Sequence, residues 1–170
     1  MIENLWDGAN RHEGSACTFS AGFWRCLVCL CVAFALHILD EASTGFLAVY
    51  NPTMTILRER WSGFPMPTFE FREWLATLVV ACGLLFCLTP LAGRGMRGLR
   101  PLAWFYAVVM FLNGLGHTLF SILGHTVAAV TFSRPAPGFY SSPFLFAASL
   151  WLMFRLRRTA QVDFQLPTGD

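Results

Sequence analysis

The sequence predicts an all-α fold, an integral membrane four-helix bundle. Three observations carry that expectation. First, 55 % of the 170 residues are hydrophobic and only 13 % are charged, whereas a soluble domain carries about 25 % charge. Second, the chain holds four apolar runs close to the roughly 20 residues that a helix needs to cross the hydrocarbon core. Third, Trp24, Trp74, Trp104, Tyr140 and Trp151 fall near the ends of those runs, as interfacial aromatics do. Mean hydropathy is +0.53. The net charge is only +2, and no basic run is dense enough for a nucleic-acid partner. The expected surroundings are the lipid bilayer.

The first span is expected over about 25–49, the second over 74–91, the third over 101–127 and a short fourth over 139–154. Pro101 suits a helix start, and Pro143 fits a first turn. Residues 1–22 then form an N-terminal tail, 23–155 the transmembrane domain and 156–170 a C-terminal tail. The first 22 residues are polar and show no convincing cleavage site, so the first apolar run is expected to stay in the mature protein. The 23 or so residues linking spans one and two exceed the usual connection. Met54, Leu57 and Trp61 share one face there, which suits a short interfacial helix. An ordinary polar loop is the alternative.

Arginines set the direction. Arg94, Arg97 and Arg100 lie between spans two and three, and Arg155, Arg157 and Arg158 follow span four. In a four-span chain both groups share one side. The expectation is a multi-pass protein of the cell membrane with both termini in the cytoplasm.

Inside span one lie His37, Asp40 and Glu41. The offsets i, i+3 and i+4 put them on one helical face. Ionisable groups in a span cost several kcal/mol and normally face a bundle interior, where they mark a function. Span three offers a matching stripe: Asn113, His117, Ser121 and His125 follow at steps of four, beside Gly114, Gly116 and Gly124. At 1.5 Å per residue, Asp40 lies about 22 Å along span one from Arg25, and His117 about 24 Å along span three from Pro101. Parallel spans would bring both clusters to one depth.

The six cysteines lack a second Cys/His pair at zinc-finger spacing. Five of them sit in apolar runs and read as small hydrophobes. Arg72 and Glu73, at the start of span two, and Arg134, before span four, are candidate substrate-binding residues. Each is equally an interfacial or loop residue.

At these residues the chain resembles the bacterial integral membrane family named for its His-x-x-Glu-Glu motif, the HXXEE-domain proteins. The matching segments are His37-Ile-Leu-Asp40-Glu41, Asn113-Gly-Leu-Gly-His117 and Arg134-Pro-Ala-Pro-Gly138, and the resemblance covers about residues 25–155. It departs from the motif at Asp40, which is one methylene shorter than glutamate and displaces any contact made there. The resemblance implies an enzyme and leaves its reaction open.

The residues themselves point to an intramembrane enzyme. His37, Asp40, Glu41, Asn113 and His117 would carry His/carboxylate acid–base chemistry on a lipophilic small molecule, by isomerisation, cyclisation or hydrolysis. A metal-assisted variant draws on His37, Glu41, His117 and His125 as ligands to Zn²⁺ or Fe²⁺. The alternatives are a small proton- or cation-coupled transporter, which with so few spans would need to oligomerise, and a non-catalytic accessory subunit.

Overall fold

A computed structural model describes the backbone of residues 3–94 and 98–165, and the side chains of 22–92, 94 and 98–158. Five helices follow one another: α1 (Glu3–Thr44), α2 (Phe46–Arg60), α3 (Phe71–Gly93), α4 (Leu99–Leu123) and α5 (Ser142–Gln165). Arg97, the side chains of residues 1–21, that of Cys17 among them, and those of residues 159–170 lie outside the described residues.

Three stretches are long and apolar enough to cross a membrane: Gly22–Thr44, Phe71–Ala92 and Leu99–Leu123. Many of their apolar side chains face outward. Val79, Val80 and Leu84 on α3, and Phe105 and Ile122 on α4, are each more than half exposed. So much outward apolar surface fits a lipid solvent better than water.

The first span is shorter than the sequence suggested. It stops at Thr44, because Gly45 adopts a left-handed conformation with φ +76°, which glycine enters without steric penalty. The Ser43 and Thr44 hydroxyls both donate to the Asp40 carbonyl, satisfying an acceptor of the final turn. Residues 46–49, expected within span one, instead open α2. The segment with two readings, interfacial helix or loop, is therefore helical over Phe46–Arg60 and irregular over 61–70.

Side-chain bonds tie α2 to the chain around it. Asn51 Nδ2 donates to the Phe69 carbonyl at 2.9 Å, and the Phe69 N–H donates to Asn51 Oδ1 at 3.1 Å. The Tyr50 hydroxyl donates to the Pro67 carbonyl at 3.0 Å. The Thr53 hydroxyl meets that of Thr126, beyond α4.

The four long helices pack together, α1 against α3 and α5, and α4 against α5. Leu30, Leu145 and Leu152 are fully buried, with Cys26, Cys31, Ser142 and Ser149 between the helices. Small residues let α4 and α5 approach closely: a Cβ on Gly114 would stand 3.1 Å from the Ser142 carbonyl oxygen. Trp74 is buried against Phe46 and Phe71 and is not the interfacial side chain that its position suggested. Trp24, Tyr140 and Trp151 are exposed.

Candidate functional site

α1 and α4 each present histidine to the same point. One helical turn separates His37 from Glu41, so both leave α1 on one face. His37 Nε2 lies 3.4 Å from Glu41 Oε1. From α4, His117 brings its Nε2 to 3.0 Å from the same oxygen. The two imidazoles meet edge to face, with centroids 4.7 Å apart. All three residues are buried, and their ligand atoms lie within 4.8 Å of one another.

The chain from 124 to 141 closes this point from the third side. Gly138, at φ +81°, lies so near that a Cβ there would stand 2.8 Å from His117 Cε1 and 2.9 Å from Glu41 Cγ. His117 Nδ1 donates to the Pro137 carbonyl. Ser121, one turn further along α4, donates to the His117 carbonyl and accepts from the Ala136 N–H. It thereby fixes the returning chain against the helix.

Asp40 meets the start of α5. Its Oδ2 accepts from both the backbone N–H and the hydroxyl of Ser141, each at 2.8 Å. Ser141 Oγ in turn lies 2.8 Å from His37 Nδ1. Asp40 thus reaches His37 through Ser141 and holds the start of α5. Asp40 and Glu41, as helical neighbours, point about 100° apart. Asn113 donates from Nδ2 to His37 Nε2 at 3.0 Å.

These bonds set the proton positions. A carbonyl oxygen only accepts, so His117 carries a proton on Nδ1, and its Nε2 faces the Glu41 carboxylate. Ser141 gives its single proton to the Asp40 carboxylate, so His37 donates from Nδ1. Its Nε2 is then the acceptor of the Asn113 amide, in agreement with that assignment. Both Nε2 atoms face one carboxylate oxygen.

The remaining expected residues stand elsewhere. His125 is not in the cluster. Gly124 ends α4 with φ +77°, so the stripe at steps of four breaks after Ser121, and His125 pairs with Thr131 in an isolated bridge. Arg134 is exposed and donates from Nη2 to the Leu123 carbonyl at 3.1 Å, closing the end of α4. Arg72 and Glu73 are exposed in the first turn of α3, and the contacts that hold the cluster do not involve them.

Sequence reasoning missed the cavity beside the cluster. It measures about 420 Å³ and is walled by α2, α4 and the chain beyond Gly124. Phe46, Met54, Leu57 and Phe120 give it an apolar lining, and His117 and Asn113 stand in its wall. Burial pushes the phenol of Tyr50, another wall residue, upward, and Arg58 offsets this only in part. Tyr50 therefore stays a neutral donor. The hidden signal was the apolar face of the link between spans one and two, whose partner the sequence does not identify. No family model, curated protein or solved structure matches the chain.

Proposed function

We propose that this protein is a four-span membrane enzyme that converts a lipophilic small molecule at the His37–Glu41–His117 centre. The observation that carries this reading is the double role of His117. Its ring touches Glu41 at 3.0 Å and also lines the apolar cavity. A largely apolar chamber with a few convergent polar groups is the usual form of a small-molecule site, and its size suits a terpenoid-like or acyl compound. The buried donors and acceptors at one end can take up and return a proton during isomerisation, cyclisation or hydrolysis.

In this reading α5 is the fourth crossing. Phe144, Trp151 and Phe154 point outward, like the apolar residues of the three longer spans. Arg155 closes the apolar run beside Gly22, and Arg157 stands 6.0 Å from the Trp104 ring near the start of α4. Long arginine stems of this kind reach the interface from a short helix. The arginine-rich end is then cytoplasmic, and the site lies toward the outer leaflet. The resemblance to HXXEE-domain proteins agrees with this assignment.

The test is comparative lipid profiling. Organic extracts of cells expressing the wild-type chain are compared by mass spectrometry with those expressing Glu41→Gln at equal protein level. A lipid-soluble species that changes only with the wild type is expected. Identical profiles, together with pH-gradient-driven flux in vesicles, would replace the enzyme by a transporter.

A further inference from the structure

We propose that His37 Nε2, His117 Nε2 and Glu41 Oε1 are ligands to one divalent transition-metal ion of the zinc or ferrous class. The inference rests on the reading of this cluster as the chemical centre and names what makes it one.

Among the described residues, the groups within ion-pair distance of Glu41 are the two imidazoles. Each already spends its Nδ1 proton elsewhere, His117 on the Pro137 carbonyl and His37 on Ser141. Two imidazole nitrogens and a carboxylate oxygen thus converge in a buried place, where a carboxylate calls for a positive or hydrogen-bonding partner. A proton on His117 Nε2 would serve the contact with Glu41 alone, with His37 Nε2 held by the Asn113 amide. A metal ion satisfies all three at once.

Geometry agrees. An ion held about 2.0–2.1 Å from each ligand atom sets neighbouring ligands about 2.9 Å apart at right angles and about 3.4 Å apart in a tetrahedron. The two nitrogen-to-oxygen separations are 3.0 and 3.4 Å. Two histidines and one carboxylate form a donor set suited to zinc or ferrous iron. The outer contacts have the matching character. Ligating histidines donate the other ring N–H to a carbonyl or carboxylate, which fixes the tautomer. His117 does so to Pro137, and His37 does so through Ser141 to Asp40. The ion takes the His37 lone pair from the Asn113 amide, which is the only bond that binding must displace among those described here.

The cluster borders the cavity at His117 and Asn113. Three protein ligands leave positions for water or for an oxygen of the substrate. The class of substrate follows: a lipophilic molecule bearing a carbonyl, hydroxyl or ester oxygen near one end.

The full chain, purified in detergent, is loaded anaerobically with Zn²⁺, Co²⁺ or Fe²⁺ and analysed by elemental mass spectrometry and visible absorption. The expected result is about one ion per chain, falling below about 0.1 in Glu41→Gln and in His117→Ala. Size-exclusion profiles and circular dichroism verify that the variants fold. Should His117→Ala not fold, Glu41→Gln and Asp40→Asn decide. Asp40→Asn is expected to keep the ion but release it to a chelator at about 10- to 100-fold lower concentration. Wild-type protein that stays below about 0.1 ion per chain with all three metals overturns the proposal, as does undiminished binding in Glu41→Gln. Bound metal with unchanged cellular lipids would defeat the enzyme reading alone. A changed lipid profile with metal-free protein would defeat the metal centre alone.

Discussion

His117 Nε2 stands 3.0 Å from Glu41 Oε1, joining α4 to α1 at the one point where the returning chain also touches both residues through Gly138. Three separate parts of the sequence must be in place for this contact to exist.

Gly138→Ala tests that closeness directly. Its Cβ would stand 2.8 Å from His117 Cε1, on a backbone at φ +81°. Strain and crowding together should destabilise the fold by about 2–4 kcal/mol. Thermal unfolding of the detergent-purified variant reads this loss. An unchanged unfolding temperature would mean that the chain at 138 is not where it is described.

Gly114→Val addresses the α4–α5 seam. A Cβ at 114 already stands 3.1 Å from the Ser142 carbonyl and 3.3 Å from the Phe146 nitrogen. Adding two methyl groups should cost about 1–3 kcal/mol. Since Ser142 follows Ser141, the shift should also loosen the aim of His37. Gly83→Val, where no atom lies within 4 Å, is the matched control and should leave stability within about 0.5 kcal/mol.

Asn51→Ala removes both bonds between α2 and Phe69. The loss should be about 1–2 kcal/mol, confined to α2 and the segment 61–70. Hydrogen exchange followed by mass spectrometry should show faster exchange there, with α3 and α5 unaffected. Uniform acceleration across the chain would show instead that α2 belongs to the global core.

Topology is tested by labelling. In a chain freed of native cysteines, Gly63→Cys should react with an impermeant maleimide in intact cells, and Gly98→Cys only after permeabilisation. A C-terminal tag should be reached on the same side as residue 98 if α5 crosses. A tag on the side of residue 63 would leave three crossings.

Much of the centre was legible because helix periodicity is a strong constraint. The i, i+4 spacing of His37 and Glu41 and the equal depth of His117 foretold their meeting, and Asn113 belongs with them. What could not be read was the irregular backbone. Gly124 turns the stripe away before His125, Gly45 cuts the first span short, and the Pro137 carbonyl enters from a loop that has no periodicity. Ser141, which holds the Asp40 carboxylate, comes from a distant part of the chain that no local spacing announces. Among the described residues three stretches are long and apolar enough to cross a membrane; the apolar run of α5 is shorter, because Arg155 interrupts it. The cavity needs α2 to fold back near α4, and nothing local announces that return.

The apolar lining of the chamber beside His117 has a practical consequence for any assay. A molecule that prefers such walls dissolves mostly in micelles or vesicles, so its effective dose is its mole fraction there. Half-saturation quoted per litre of buffer would drift as detergent is added, while the same curve plotted against surface composition should stay fixed.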